Sequence, residues 1–238
     1  MKPKKAFILA GGKGTRLRPL THRIPKVLIE VKGKPVLEWN IELIRMFGIE
    51  EIILAVGYKN EQIREYFKDG SDLGIKIIYN VEDSFLGTAG ALKFAEEHLK
   101  NEDMFIMMNG DECKNVDFNS LHSVFERNRA VAAIALATVD YTAAGGIVKT
   151  DGERLISFDE KPDSEIKGNK LINAGAYILN PSIFDYIPTN KFVSIEKEIF
   201  PKLVKEGKIF GIPCVKQFLQ TDNFERLERA RKEWKGLE

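Results

Sequence analysis

The stretch AFILAGGKGTRLRPLT, residues 6–21, determines how the rest of this chain is interpreted. Its first five residues, 6–10, are all apolar and are followed at once by Gly11 and Gly12. A short apolar run that ends in glycine is typical of a strand buried on both faces of a sheet. Glycines directly after such a strand allow backbone N–H groups to approach an anion closely. We therefore predict an anion site where this strand ends.

Basic side chains surround these glycines. Lys13 and Arg16 lie in the loop itself, and Lys26 follows shortly after it. Backbone N–H groups and positive charge together predict a site for a triphosphate. The loop is not a Walker loop, because Gly14 follows Lys13 where that motif requires Ser or Thr. It is not the dinucleotide fingerprint either, because Leu17 occupies the third glycine position, and this disfavours a nicotinamide oxidoreductase.

Apolar runs of strand length alternate with segments of helical periodicity through the first part of the chain. The predicted strands are residues 6–10, 52–56, 75–79, 104–108 and 131–139. Such alternation predicts an α/β fold with a Rossmann-like mixed, mostly parallel sheet flanked by helices. After about residue 142 the strands become short and alternating, which predicts a smaller antiparallel extension. We expect one domain, 1–238, with halves at 1–141 and 142–238.

Composition limits the possible partners and compartment. The 238 residues carry a formal net charge of +1, which gives no general attraction to nucleic acid or to an anionic membrane. No apolar stretch reaches the ~20 residues of a membrane helix, and residues 6–10 are too short for a signal peptide. Cys113 and Cys214 show no metal-binding or redox spacing. We expect a soluble cytoplasmic protein with no nucleic-acid or membrane partner.

Several motifs in collinear order resemble those of the sugar-1-phosphate nucleotidylyltransferase family. The loop G-G-x-G-T-R-L-R-P-L-T, followed by Pro25-Lys26, is similar to the signature of that family. Further matches are FLGTAGAL at 85–92, NGD at 109–111, FDEKP at 158–162, NAGAY at 173–177 and SIEK at 194–197. The resemblance covers nearly the whole chain. It implies an enzyme that joins a nucleoside triphosphate to a sugar 1-phosphate and releases pyrophosphate.

The resemblance also implies roles for particular residues. Arg16 and Lys26 would be catalytic, with Arg16 on the leaving phosphates and Lys26 near the α-phosphate. Asp111, at the end of a strand, would bind Mg²⁺, a cation that prefers carboxylate and phosphate oxygens. The nucleotide would contact Leu9, Gly11, Gly12, Gly14, Thr15, Glu82, Gly87 and Thr88. The sugar phosphate would contact Gly146, Glu160, Lys161 and Asn173.

Simpler interpretations of these side chains stay open at this point. Lys161 precedes a proline and is compatible with an exposed loop lysine. Asn109 with the following glycine is compatible with a plain turn, Glu160 with a solvated carboxylate, and Asn173 with a side chain bonded only to backbone. Family members often associate, so the resemblance also implies a homo-oligomer, such as a dimer.

The base pocket is predicted from Glu82, which precedes the turn around Gly87. A carboxylate only accepts hydrogen bonds, which suits the paired N–H donors of guanine better than the single donor of thymine. This favours GTP, with mannose 1-phosphate or heptose 1-phosphate as the second substrate. The alternative is dTTP or UTP with glucose 1-phosphate, and Glu82 would then have another role or face the solvent.

The chain departs from the family pattern near its end. Gln220 occupies the position where the family carries a second metal-binding aspartate, and Asp222 follows two residues later. Residues two apart in an extended chain face the same side, so Asp222 or Gln220 would complete the metal site. A second departure is Gly145-Gly146, where a Tyr-Gly pair is common in the family. These departures keep open a catalytically impaired homologue that binds nucleotide sugars and regulates a partner.

Overall fold

A computed structural model describes residues 1–82, 84–141, 146–160 and 167–237 of the chain. Its core is a nine-stranded sheet in the order β5-β4-β1-β6-β11-β8-β12-β10-β9. Two small antiparallel pairs, β7 with β13 and β2 with β3, lie outside it. The strands are β1 (Lys5–Leu9), β2 (Glu30–Val31), β3 (Lys34–Pro35), β4 (Glu51–Val56), β5 (Lys76–Val81), β6 (Phe105–Asn109), β7 (Glu112–Val116), β8 (Ala132–Tyr141), β9 (Ile147–Asp151), β10 (Arg154–Asp159), β11 (Lys167–Leu179), β12 (Ile209–Pro213) and β13 (Val215–Gln220).

Helices cover both faces of the sheet. The α-helices are α1 (Val36–Phe47), α2 (Asn60–Phe67), α3 (Gly87–Phe94), α4 (Glu96–Leu99), α5 (Phe118–Asn128), α6 (Phe200–Glu206) and α7 (Phe224–Glu233). Short 3₁₀ turns include Thr15–Leu17 and Lys26–Leu28, and a π-helical turn spans Ile195–Ile199. No helix among the described residues is long and apolar enough to cross a membrane.

The predicted α/β architecture is confirmed. β1 pairs in parallel with β4 and β6, and β4 pairs in parallel with β5. β11 runs antiparallel to β6 and β8, and β10 runs antiparallel to its neighbours β12 and β9. The antiparallel strands of the second half therefore extend the same sheet. The division into halves at residue 142 stays a prediction.

The continuous apolar run in β1 follows from burial on both faces. Ala6 and Ile8 belong to the hydrophobic cluster under α1 and α5, whereas Phe7 belongs to the opposite cluster, which includes α3 and α6. Successive residues of a strand point to opposite faces, so a strand between two helical layers needs apolar side chains at every position. The apolar positions end with β1, and the glycine loop with its basic side chains follows at the carboxyl end of this strand.

The pair formed by β7 and β13 was not predicted. β7 carries Lys114 and Asn115, which are polar yet buried, so its sequence has no apolar run or regular alternation. The register places Gln220 opposite Glu112. This pairing places β13 beside β7, the strand that directly follows β6 in the chain. It therefore brings residues near position 220 next to the candidate site.

Candidate active site

A cleft of about 760 Å³ opens where β1, β4, β5 and β6 end. This is where ligands bind in open α/β sheets. Of the residues predicted to bind nucleotide or metal, the cleft is lined by Leu9, Gly11, Gly12, Lys26, Glu82, Gly87, Thr88 and Asp111. Lys13, Tyr58, Ser84, Phe85 and Asn109 complete much of its wall. The volume is within the usual range for a small-molecule site.

The glycine loop is held in shape by Thr21. Gly14 has φ 59°, in the left-handed region that favours glycine, and begins the 3₁₀ turn that contains Thr15 and Arg16. The buried Thr21 hydroxyl donates to the Gly14 carbonyl at 2.9 Å. A side chain on Gly14 would meet the Thr21 methyl at 2.9 Å and Lys26 Cβ at 3.0 Å. Gly14 and Thr15, predicted to contact the nucleotide, are not among the described residues that line the cleft.

Gly12 differs from the neighbouring glycines because the protein itself leaves space for a side chain. A Cβ at Gly12 would have no protein atom of the described structure within 4 Å, whereas one at Gly11 would approach Gly57 N at 3.3 Å. Gly12 lines the cleft and is exposed. Packing therefore explains Gly11 and Gly14, but only a ligand close to the backbone would require glycine at position 12.

Lys26 and Asp111 form an ion pair at the base of the cleft. Lys26 Nζ donates to Asp111 Oδ2 at 2.6 Å. The Lys26 side chain is 9% exposed, whereas that of Asp111 is 36% exposed and reaches the cleft. Burial raises the pKa of Asp111, but the charge and hydrogen bond of Lys26, with the charge of Lys114, outweigh it and the net shift is downward. Asp111 is therefore held as a carboxylate.

Arg16, predicted to be catalytic, is not among the described residues that line the cleft. Its guanidinium is paired with the carboxylate of Asp222, and the Arg16 side chain is 65% exposed. Asp222 is also bound by Arg226, at 2.8 Å from Nη1 to Oδ1. The carboxylate that was expected to contact a metal thus lies between two guanidinium groups.

Lys114 is a buried residue beside the cleft that the sequence did not single out. Its fully buried ammonium group donates to the carbonyls of Asn109 and Gly175 at 3.2 and 3.1 Å, and to Glu112 Oε2 at 3.1 Å. Three acceptors match the three donors of an ammonium group. Lys114 therefore ties the end of β6 to β11. The signal in the sequence is a lysine two residues after Glu112 within a strand that is otherwise buried.

Glu82 lies directly after β5 and lines the cleft. Its backbone N–H donates to the carbonyl of Val56, and its Oε2 accepts from the Leu86 N–H at 3.3 Å. Burial raises the pKa of Glu82. Within the part of the chain that the structure describes, Oε1 accepts no hydrogen bond. One oxygen of the carboxylate is therefore held by the Leu86 N–H, and Glu82 is among the residues that line the cleft.

The turn at Gly87 is fixed by the segment before the π-helical turn. Gly87 has φ 74°, and a side chain there would meet the Val193 carbonyl at 2.6 Å. Thr88 Oγ1 donates to Glu196 Oε2 at 2.7 Å and accepts from the Ile195 N–H at 2.8 Å. Thr88 lines the cleft, but its hydroxyl holds two elements together. The same packing brings the exposed rings of Phe85 and Phe192 to 5.5 Å between centroids.

Gly146, Glu160 and Asn173, which the resemblance assigns to the sugar phosphate, are neighbours in the structure. The Asn173 N–H donates to the Gly146 carbonyl at 2.9 Å, and a side chain on Gly146 would lie 2.7 Å from Glu160 Oε2. Asn173 Oδ1 accepts from the Gly175 N–H at 2.9 Å, and Nδ2 donates to Tyr177 Oη at 2.8 Å. Lys161, the predicted ligand of the sugar phosphate, lies outside the described residues.

The residues at the end of β6 fit a cation that takes its remaining ligands from phosphates. Asp111 supplies one carboxylate facing the cleft, and Thr221 Oγ1 donates to the Asp111 carbonyl at 2.7 Å, so β13 ends directly beside it. Among the described residues no group of three or more His, Cys, Asp or Glu side chains forms a complete protein cage. Mg²⁺ is commonly held by one or two carboxylates together with substrate phosphates.

Comparison with known proteins agrees with this geometry. Residues 5–219 match the model of a family described as Nucleotidyl transferase, which covers most of the chain. The chain therefore belongs to the nucleotidyl transferase family, whose members generally use a divalent metal ion.

The chain is similar to enzymes that act on different sugars and bases. It is 37% identical to the UTP–glucose-1-phosphate uridylyltransferase of Synechocystis sp. over 219 residues, covering 87% of this chain and 56% of the relative. It is 39% identical to the mannose-1-phosphate guanylyltransferase of Mycobacterium tuberculosis over 209 residues, covering 87% and 57%. The chain thus spans just over half the length of these curated relatives.

A solved structure shows the same architecture over nearly the whole chain. The crystal structure of HddC from Yersinia pseudotuberculosis complexed with GMP-PN has a TM-score of 0.81 and 29% identity to this chain. The match covers 98% of this chain and 100% of that one. The two relatives named above act on different bases, so similarity alone leaves the choice of base to the site.

Proposed function

We propose that this chain is a sugar-1-phosphate nucleotidylyltransferase that uses GTP with mannose 1-phosphate or heptose 1-phosphate. The observation that carries this proposal is the single cleft formed by the Gly11-Gly12 backbone, the Lys26–Asp111 pair and Glu82. Relatives named mannose-1-phosphate guanylyltransferase support the choice of base and sugar. The test is incubation with GTP, mannose 1-phosphate and Mg²⁺, followed by chromatography. GDP-mannose and pyrophosphate are the expected products. If no GDP-sugar forms with any sugar 1-phosphate tried, the proposal is contradicted.

The reaction forms one bond and breaks one. An oxygen of the sugar 1-phosphate attacks the α-phosphorus in line, and the bond from this phosphorus to the oxygen bridging the α- and β-phosphates breaks. The pair of electrons leaves with pyrophosphate. Such transfers depend on alignment and charge neutralisation. Lys26 would neutralise the α-phosphate region, Arg16 the leaving phosphates, and the N–H groups of Gly11 and Gly12 would bind phosphate oxygens.

Mg²⁺ is the metal ion that we assign to this site, where it would neutralise phosphate oxygens. Asp111 is its proposed protein ligand, because this carboxylate faces the cleft and is held ionised beside Lys26. Asp222 is bound by two arginines, so we place Gln220, at the end of β13, ahead of Asp222 as a second ligand. On the sugar side, we assign hydroxyl contacts to Glu160 and Asn173 next to Gly146, and we keep Lys161 as the proposed phosphate ligand.

Gly12→Ala is expected to weaken nucleotide binding without affecting the fold. The added methyl has no protein neighbour, so the free energy of unfolding should change by no more than ~0.5 kcal/mol. The same methyl would occupy the space through which phosphate approaches the backbone, and we expect GTP affinity to fall by about tenfold or more. Calorimetric titration with Mg·GTP measures the affinity, and thermal unfolding is the control. A variant that binds GTP as well as the unaltered protein would refute the phosphate role of this loop.

Glu82→Gln is expected to reduce the preference for GTP over UTP. The amide replaces a fully accepting carboxylate with a group that also donates, and its NH₂ would oppose the N–H donors of guanine. We expect a loss of about tenfold to hundredfold in GTP affinity and a smaller change for UTP. Glu65→Gln, at an exposed position of α2, is the matched control. Equal losses for GTP and UTP would show that Glu82 supports the cleft without reading the base.

A second candidate function follows from the end of β13. Gln220, where the family pattern has an aspartate, and the pairing of Arg16 with Asp222 favour a catalytically impaired homologue that binds nucleotide sugars. Tight binding of a GDP-sugar without turnover would support it, and turnover would exclude it. Use of dTTP or UTP with glucose 1-phosphate remains the alternative for the enzyme. Homo-oligomerisation, a cytoplasmic location and the lack of nucleic-acid binding stay predictions.

A further inference from the structure

The turn between β13 and α7 is fixed at both of its ends. Thr221 Oγ1 donates to the carbonyl of Asp111 at 2.7 Å, which attaches the turn to the cleft. Asn223 Oδ1 accepts from the Arg226 N–H at 2.8 Å and caps α7. Asp222 lies between these two anchors and is 12% exposed. Its carboxylate is therefore held in place next to Arg16 of the glycine loop.

Two arginines share this carboxylate but differ in how they are held. Arg16 pairs with Oδ2 and is 65% exposed, whereas Arg226 binds Oδ1 at 2.8 Å and is 14% exposed. Arg226 follows Asp222 by four residues and belongs to α7, so it remains beside the carboxylate whatever the loop does. If Arg16 leaves, Asp222 keeps an ionic partner. Breaking a buried ion pair is costly when it leaves a charge without a partner. The departure of Arg16 avoids this cost, because Asp222 stays paired with Arg226.

We propose that Asp222 is a positioning residue that retains Arg16 outside the cleft and releases it when a nucleoside triphosphate binds. The proposal rests on the function proposed above, because the phosphates of the triphosphate are the anions that replace Asp222 as the partner of Arg16. The Asp222 carboxylate and the incoming phosphates therefore compete for one guanidinium. Asp222 thus sets the affinity for nucleotide through Arg16, and it does so without touching the nucleotide or the metal ion.

This competition predicts a gain of affinity from the removal of a charge. Asp222→Asn keeps the shape of the side chain but releases Arg16, so Mg·GTP should bind about two- to fivefold more tightly, the range expected for an exposed ion pair. In the Arg16→Ala background, the same substitution should leave affinity unchanged, because there is no guanidinium to release. The Mg²⁺ concentration that half-saturates GTP binding should stay the same. Calorimetric titration measures each of these values.

A second variant has an expected effect of the opposite sign. Arg226→Gln removes the permanent partner of Asp222, so the carboxylate depends more on Arg16 and retains it more strongly. We expect Mg·GTP to bind more weakly to this variant, again only when Arg16 is present. A loss of folding would not reproduce this pattern of opposite signs, and thermal unfolding of each variant checks that the fold is kept.

The outcomes separate this inference from the proposed function. Tighter binding in Asp222→Asn, weaker binding in Arg226→Gln, and no effect of Asp222→Asn without Arg16 would support the retention of Arg16. Unchanged or weaker GTP binding by Asp222→Asn would overturn it, and a higher Mg²⁺ requirement would identify Asp222 as a metal ligand instead. If the unaltered protein binds no triphosphate at all, the proposed function fails and this inference fails with it.

Discussion

Asp111→Asn is expected to reduce nucleotidyl transfer by at least about a hundredfold, since charge stabilisation by a bound metal ion contributes several kcal/mol. The asparagine keeps the shape of the side chain but has no charge with which to hold Mg²⁺. It also leaves Lys26, whose side chain is 9% exposed, without its carboxylate partner. The loss should appear in kcat and in the Mg²⁺ dependence together. Steady-state rates measured across a Mg²⁺ titration give both quantities.

Glu112→Gln is the matched comparison for Asp111→Asn. Glu112 is the adjacent carboxylate, but its Oε2 is bound by Lys114 at 3.1 Å and its side chain is 16% exposed. We expect this variant to lower stability, because a buried lysine loses its charged partner, and to leave the Mg²⁺ dependence unchanged. If Asp111→Asn retains full activity at low Mg²⁺, Asp111 is not the metal ligand and the proposed site is wrong.

Arg16→Ala is expected to give the second large effect. A side chain that contacts the leaving phosphates acts mainly in the transition state, so its removal should lower kcat by about 10²–10³. The Arg16 side chain is 65% exposed, so the variant should unfold at nearly the same temperature as the unaltered protein. Initial rates of pyrophosphate release and a thermal melt test the two statements separately.

Arg18→Ala provides the matched control for Arg16→Ala. Arg18 carries the same charge, lies two residues away and is exposed, and it makes no ion pair with the described residues. We expect its removal to lower the rate much less, because it contributes only to the general positive field. Similar losses in the two variants would mean that the loop acts by its total charge, and that Arg16 has no individual role.

The sequence predicted the parts of the site that depend on local patterns. The apolar run before Gly11 required a strand buried on both faces, and the structure places β1 in the middle of the parallel strands. The carboxyl ends of such strands meet at one edge, and the structure places Gly11, Gly12, Glu82 and Asp111 together in the lining of the cleft there. The individual roles of these residues remain proposals.

The sequence did not predict contacts that depend on pairing between distant segments. The fully buried Lys114 contacts the Gly175 carbonyl of β11, and this contact between segments 61 positions apart has no local signal in the sequence. Thr88 lines the cleft as a predicted nucleotide contact, but the sequence did not indicate that its hydroxyl connects α3 to Glu196. The pairing of Arg16 with Asp222 joins residues more than two hundred positions apart, and no local spacing indicates it.

The most direct test of the central claim is pyrophosphate release by the unaltered protein with Mg²⁺. GTP, dTTP, UTP, CTP and ATP should each be combined with a panel of sugar 1-phosphates that includes mannose, heptose and glucose. We predict release that requires both substrates and is fastest with GTP and mannose 1-phosphate or heptose 1-phosphate. The absence of release from every combination, together with tight binding of a GDP-sugar, would contradict the enzymatic account and favour the regulatory one.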